Sequence, residues 1–355
     1  MSVFETRAFD DHELVTFISD PATGLRAIIA IHSTALGSAG GGIRMYPYSD
    51  SGQALHDVLR LSRAMTCKFA LLGFPAGGGK SVIIGDPRKD KSEALLEAFG
   101  RAVDDLGGRY TCAEDVGTTP DDMVVIRRST RYVTGLPDGS GDTSPLTGYG
   151  VFQAIRAAAR HRLGRDDLEG LNVAVQGAGN VGRYLIEHLS RAGAHIQVAD
   201  LNREATRRME KDFGVEVVAP EDVLSLDVDV LAPCAMGGVL DDDTVPTIRA
   251  KIVCGGANNQ LADDRHGQML DDRGVLYVPD FVVNAGGVIS GASAANGMTE
   301  EQQKERVEAI YDSCTQVFTR AVEDGVPTSV AAERMAQEVI KAGLPGRPAR
   351  QRAPA

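Results

Sequence analysis

Lys80 closes a glycine run, GFPAGGGKS (73–81), and a lysine so placed suggests two different chemistries. One is phosphate binding. A triphosphate loop needs a glycine five residues before the glycine of its Gly-Lys pair, and it must lead into a helix whose amides bind the phosphates. Here that position is Phe74, Gly73 lies one residue too early, and the VII that follows Ser81 has the pattern of a strand. The triphosphate reading fails on spacing and on context. The other chemistry is that of a general base. An amine on nearly bare backbone, desolvated when a domain closes over it, becomes available to take up a proton. Lys68, 12 residues earlier, is a neighbouring cation that would assist, and Asp115 in YTCAEDVGTTP offers an acidic partner. Any one of these charges reads most simply as a solvated surface group; the set points to acid–base chemistry.

A second constellation is GAGNVG (177–182), in which Gly177, Gly179 and Gly182 follow an apolar strand pattern and open a helical one. The first glycine allows a tight turn and the second lets a pyrophosphate approach the backbone. The third permits close helix–strand packing, and the helix N-terminus attracts the phosphates. Asn180 and Val181 complete the turn. Asp200 ends the next strand, 18 residues past Gly182, where a carboxylate accepts ribose hydroxyls and repels a 2′-phosphate. The motif in this context implies NAD rather than NADP, although Arg203 is close by.

The elements that must carry these groups can be outlined. Residues 26–34 form a β-branched apolar run suited to a strand, and residues 52–72 repeat apolar positions at helical spacing. SVIIGDP (81–87) reads as a strand, and KSEALLEAFGRAVDDLGG as a helix stopped by paired glycines. GLPDGSGDTSPLTG (135–148) is the expected domain boundary. Past it, a helix at 149–161 precedes a strand and glycine turn over 172–182, a helix at 183–192, and strands at 195–202, 227–234, 250–256 and 275–281. Strands alternating with helices imply a parallel, doubly wound sheet. After about residue 301 the pattern becomes helical again, and residues 346–355 read as a frayed tail.

Composition narrows the partners. A net charge of −12 disfavours nucleic acid. Five scattered cysteines without a CxxC pair argue for reduced thiols and against a zinc site, so no metal is expected. No apolar run approaches the length of a membrane span and no secretory signal opens the chain, which implies a cytoplasmic protein.

Blocks along residues 10–342 resemble the amino-acid dehydrogenase family that includes the leucine, phenylalanine, valine and glutamate dehydrogenases. The blocks are LGSAGGGIRMYPY (36–48), LRLSRAMTCKFA (59–70), GGGKSVIIGDP, GRYTCAEDVGTT (108–119), TSPLTGYGVF (143–152), VAVQGAGNVG, APCAMGGVLDDDTVP (232–246), GGANNQLADDRHG (255–267) and YVPDFVVNAGG (277–287). The resemblance is to the leucine/phenylalanine/tryptophan branch. It implies an α/β fold of two domains, a substrate-binding and oligomerisation domain at 1–146 and a Rossmann-type NAD domain at 147–325, with a helical segment at 326–355 packing back and the active site in a cleft between the domains. It also implies a homo-oligomer. Lys80 matches the catalytic lysine, Asp115 its proton-relaying partner, and Lys68 the group that grips the substrate α-carboxylate beside amides near Gly41 and Gly42. Thr147 and Asn258 match positions that hold the nicotinamide amide and the substrate amino group, and Ala235 a further cofactor contact. The reaction so implied is oxidative deamination of an L-amino acid to its 2-oxo acid and ammonia, and the reverse.

Gly40, Met65, Ala113, Val288 and Gly291 match the positions that face the substrate side chain. Glutamate dehydrogenases carry a lysine where Gly40 stands, so an acidic side chain would be buried here without a partner. Leucine dehydrogenases usually carry Leu and Val at the positions of Gly40 and Gly291. The two losses of bulk imply an apolar, aromatic substrate, unless Cys67, Phe69 or Leu72 refills the space. A branched-chain (leucine or valine) dehydrogenase is the alternative, and an NAD-binding sensor or scaffold the non-enzymatic one. Lys68, Lys80, Asp115 and Asn258 together speak against the last.

Overall fold

The computed structural model describes residues 2–137, 142–165, 167–295, 297–344 and 346. Residues 138–141, inside the expected boundary stretch, lie outside the described residues, as do Asn296 and, apart from Gly346, the expected frayed tail. The chain divides into two compact units, residues 1–141 with 336–355, and residues 142–335.

The first unit runs β1 (Leu14–Asp20), β2 (Leu25–Ser33), β3 (Ala39–Tyr46), α1 (Ser51–Leu71), β4 (Gly77–Ile84), α2 (Glu93–Asp104), β5 (Tyr110–Glu114) and α3 (Pro120–Arg127). Its sheet has the order β1-β2-β4-β3-β5. The β1–β2 and β2–β4 pairs are antiparallel, whereas β3 is parallel to both β4 and β5. The apolar run at 26–34 is buried because it has two cores to serve. Ile28 and Ala30 pack with Ala54, Val58 and Leu59 of α1, while Ile29 and Ile31 pack with Leu95, Leu96 and Phe99 of α2. Alternation of side chains along a strand sends neighbours to opposite faces, so a continuous apolar run fits a strand covered on both sides. Asp50 caps α1 by accepting from the amide of Gln53, and Ser92 caps α2 in the same way through Leu95.

The strand expected from residue 81 starts four residues earlier, at Gly77. Lys80 therefore lies within the central strand of the sheet and not on a free glycine loop.

The second unit runs α4 (Ser144–Leu163), β6 (Asn172–Gln176), α5 (Asn180–Arg191), β7 (His195–Ala199), α6 (Arg203–Phe213), β8 (Glu216–Val217), β9 (Val230–Pro233), β10 (Ile252–Val253), α7 (Arg265–Asp272), β11 (Leu276–Tyr277), α8 (Asp280–Val283), α9 (Gly286–Ala295), α10 (Glu300–Glu308), α11 (Ile310–Asp324) and the start of α12 (Thr328–Ala342). The sheet order is β11-β10-β9-β6-β7-β8, with every pair parallel. The chain leaves β6 towards β7 and β8, then returns to lay β9 on the opposite side of β6. This is the doubly wound, Rossmann-type order. It creates a topological switch between β6 and β9, and ligands bind at the carboxyl ends of the strands beside such a switch. β10 and β11 are shorter than expected, because the chain turns away into GGANN and into PDF.

Candidate active site

In the first unit, Lys80 Nζ lies 2.9 Å from Asp115 Oδ1. Lys80 is 4% exposed and the Asp115 side chain 13%. Asp115 stands just past β5, and its turn is braced by Thr118, whose Oγ accepts from the Asp115 amide at 2.9 Å and donates to the carbonyl of Ile43 at 2.9 Å. Bare backbone makes room for the pair. A Cβ placed at Gly42 would stand 3.2 Å from Lys80 Nζ and 2.7 Å from Asp115 Cβ, and one at Gly41 would collide with the carbonyl of Gly79. Ala113 on β5 is paired with Gly42. The glycines predicted to approach substrate thus also let three strands and two charged side chains converge.

Lys68 is carried by the last turn of α1, which presses onto β4 at Gly78. A Cβ there would fall 2.1 Å from the backbone nitrogen of Thr66. Lys68 is buried, and Met65 on the same turn is half-buried. Phe69, the next residue, turns its ring towards β3. A Cβ at Gly40 would lie 3.2 Å from Phe69 Cζ. The space expected to open at Gly40 is therefore occupied by Phe69.

Three residues given no role by the sequence motifs join this cluster. Arg44 Nε donates to Asp115 Oδ2 at 3.0 Å, its Nη1 donates to Asp57 Oδ2 at 3.0 Å, and Tyr48 Oη donates to the same Asp57 oxygen at 2.6 Å. Burial alone would raise the pKa of Asp115. The adjacent charges of Lys80 and Arg44 outweigh it and hold the carboxyl far below the usual carboxylate range. Burial, then the charge of Asp57, pushes the Tyr48 phenol well above its ordinary value. A sequence signal for Arg44 does exist. It lies two residues after Gly42, hence on the same face of a strand, but only once β3 is seen as a strand.

In the second unit, Gly177 has φ +105°, a conformation favouring glycine, and a Cβ there would meet the amide of Ala235 at 2.9 Å. The loop after β9 thus abuts the glycine turn at the switch. A Cβ at Gly182 would fall 2.0 Å from the carbonyl of Gly177, whereas one at Gly179 would meet nothing within 4 Å. Gly179 caps α5 without a side chain, leaving the first-turn amides of that helix accessible to a phosphate. This open cradle fits a dinucleotide. Val181 packs against Gly256, where a Cβ would lie 2.8 Å from Val181 Cγ1. Asp200 accepts from the Ala178 amide through Oδ2 and from the Asn202 amide through Oδ1, both at 2.7 Å. It therefore ties the glycine turn to the end of β7, and each oxygen keeps a lone pair for another donor.

Asn258 Oδ1 accepts from Asn284 Nδ2 at 2.8 Å, and Asn284 Nδ2 also reaches the carbonyls of Gly256 and Ala257 at 3.2 and 3.4 Å. Thr147 Oγ donates to the carbonyl of Thr143 at 2.9 Å, and a Cβ at Gly287 would stand 3.1 Å from it. Val288 is half-buried, and a Cβ at Gly291 would meet nothing within 4 Å. Asn180 and Ala235 are exposed. Among the described residues, no group of three or more His, Cys, Asp or Glu is placed to hold a metal, and no helix is long and apolar enough to cross a membrane.

Residues 12–132 match the family model described as Glu/Leu/Phe/Val dehydrogenase, dimerisation domain, and residues 139–202 and 196–343 match Glutamate/Leucine/Phenylalanine/Valine dehydrogenase. A leucine dehydrogenase of Geobacillus stearothermophilus is 48% identical over 344 residues, covering 96% of this chain and 94% of its own. A valine dehydrogenase of Streptomyces virginiae is 50% identical over 333 residues, covering 92% and 93%. The crystal structure of L-tryptophan dehydrogenase from Nostoc punctiforme matches with a TM-score of 0.76 at 44% identity, covering 93% of this chain and 96% of that one. The chain therefore belongs to the glutamate/leucine/phenylalanine/valine dehydrogenase family: it is an NAD(P)-dependent oxidoreductase acting on the CH–NH2 group of an amino acid.

Proposed function

We propose that the protein oxidatively deaminates an L-amino acid with an apolar side chain, using NAD, and runs the reverse reductive amination. The observation that carries this reading is the buried Lys80–Asp115 pair, 2.9 Å apart beside the bare backbone of Gly42. A bound nicotinamide supplies the hydride acceptor for the substrate Cα–H. Lys68 holds the α-carboxylate. Lys80 in its amine form takes a proton from the water that adds to the iminium carbon, and Asp115 passes protons so that the nitrogen leaves as ammonia and the 2-oxo acid remains. Thr147 and Asn258 orient the carboxamide and the reacting nitrogen. Gly177, Gly179, Asn180, Val181, Gly182 and Ala235 form the phosphate-facing turn, and Asp200 meets the ribose. A carboxylate at that position favours NAD over NADP.

Within the apolar class, the open space at Gly291 favours an aromatic side chain. A second reading, a branched-chain substrate, is favoured by Phe69, whose ring restores the bulk absent at Gly40. The match to a dimerisation domain supports a homo-oligomer, and five free thiols suit the cytoplasm.

The test is NADH formation with L-phenylalanine, L-tryptophan, L-leucine, L-valine and L-glutamate at alkaline pH, repeated with NADP. Phenylalanine or tryptophan should exceed leucine, and glutamate should be the poorest; equal rates on leucine would sink the aromatic assignment. Lys80→Ala should lose turnover and retain NADH binding. Loss of NADH binding in that variant would make Lys80 a phosphate ligand after all.

A further inference from the structure

Asp115 is held from two sides. Lys80 meets one carboxylate oxygen at 2.9 Å and Arg44 Nε the other at 3.0 Å. Arg44 is itself fixed at its far end by Asp57, 3.0 Å away, and Asp57 receives the Tyr48 hydroxyl at 2.6 Å on the same oxygen. The result is a row of alternating charges, Lys80, Asp115, Arg44 and Asp57, brought together from β4, the end of β5, β3 and α1. Arg44 is 9% exposed. A Lys–Asp pair is already neutral, and burying a second ion pair against it gains little stability, because desolvation cancels most of the attraction. The second pair does two other things. Its planar guanidinium fixes how the carboxylate is turned, and its charge acts on every proton held nearby.

We infer that Arg44 is a positioning residue for the Lys80–Asp115 pair. It holds Asp115 by Oδ2 so that Oδ1 faces Lys80, and Asp57, anchored by Tyr48, sets how much of its charge the pair feels. This rests on the reading of Lys80 as the base. Arg44 disfavours a proton on Asp115, and its charge therefore bears on every proton that the pair passes. The low proton affinity of Asp115 agrees with this. The elements packed against the pair also carry ionisable groups, among them Lys68 on α1 and Tyr110 and Glu114 on β5. The Tyr110 phenol is buried, donates to the carbonyl of Gly41 at 2.8 Å and has its pKa pushed well above the ordinary value by burial. Lys68 and Glu114 are unchanged in the variants below, so their influence is common to all.

The experiment is the pH dependence of kcat/KM and kcat for oxidative deamination by the NAD-saturated enzyme. The limb along which activity rises with pH should move up by roughly one unit in Arg44→Met, because the pair then holds its protons without a competing cation at Asp115. In Asp57→Asn, which removes an anion without changing shape, the limb should move down. Arg44→Lys should keep the limb near its wild-type position and lower kcat, since charge survives and the two-ended bridge does not. Opposite shifts in the first two variants are not what a general loosening of the fold produces. If Arg44→Met does not fold, Asp57→Asn decides alone. A limb in Asp57→Asn that stays in place or rises overturns the inference, as does one in a folded Arg44→Met that stays or falls. Lys80→Ala separates the two levels. Full turnover in that variant overturns the base assignment and this inference together, whereas an inactive Lys80→Ala with unmoved limbs in the other variants overturns only the role of Arg44.

Discussion

At the scale of residues, the exchange of bulk between Gly40 and Phe69 decides what the sequence left open. A glycine where the resemblance implies a leucine reads as lost volume, yet the Phe69 ring stands 3.2 Å from where a Cβ would be. The two positions are 29 apart in sequence, on β3 and α1, and no periodicity links them. Volume is a property of the packed neighbourhood, so it is illegible from either residue alone. Phe69 is 8% exposed, and Phe69→Ala should cost stability of about 3–5 kcal/mol. The same variant should raise kcat/KM for phenylalanine relative to leucine by roughly tenfold, the worth of one or two methylene-sized contacts. An unchanged ratio would mean that Phe69 packs the core and does not face substrate.

At the scale of elements, the turn from β6 to α5 was legible as strand, glycine turn and helix, although the helix begins at Asn180 and not at 183; Gly177 and Gly182 answer steric demands and Gly179 leaves open space. Their demands differ, and substitution should separate them. Gly179 has an ordinary φ of −70° and open space at its Cβ position. Gly179→Ala should therefore melt within about 1 kcal/mol of wild type, the usual loss at a helix cap. It should weaken NADH binding by at least about tenfold, since the methyl occupies the approach of the pyrophosphate. Gly182→Ala instead places a methyl 2.0 Å from the carbonyl of Gly177. It should lose on the order of 1–3 kcal/mol of stability even without ligand. Thermal melts and NADH fluorescence titrations check both; a Gly179→Ala that binds normally would remove the pyrophosphate from that spot. β3 shows the opposite case. AGGGIRMY has no alternation and is rich in glycine, which is depleted in strands, so only its pairing with β4 and β5 reveals it as a strand and brings Arg44 to the site.

At the scale of the whole molecule, stability should depend on pH through a buried histidine that has no part in the proposed chemistry. His12 accepts from the Asp10 amide on Nδ1 at 3.2 Å and uses Nε2 towards the Leu59 carbonyl and Ser62 Oγ, both at 3.0 Å. Nδ1 is thus an acceptor, and a proton there would break that bond. Burial, reinforced by His32 4.8 Å away ring to ring, lowers the His12 pKa to about 4. In the unfolded chain a histidine titrates near 6.5. Above that value the ring is neutral in both states and stability is whole. As pH falls from about 6.5 to about 4, the unfolded chain binds a proton that the native state refuses, so stability falls by up to about 3 kcal/mol and then levels. Asp10, whose carboxyl is lowered first by its hydrogen bond to His32, contributes its own loss only further into acid. His12→Gln should flatten the slope of the melting temperature between pH 6.5 and 4.5; an equal slope would place the effect elsewhere.

The sequence by itself determined the α/β class, the glycine turn between β6 and α5, and the family, and it singled out Lys80 and Asp115, which the fold brings to 2.9 Å; these depend on short-range patterns: strand–turn–helix glycines, apolar periods and ordered motif blocks. Only the tertiary structure decided that GGGKS is a central strand, that Arg44, Asp57 and Tyr48 stand behind Asp115, and that Phe69 fills the space at Gly40. Each of those facts joins residues far apart in the chain. Close packing and the pairing of buried charges, rather than local preference, set them.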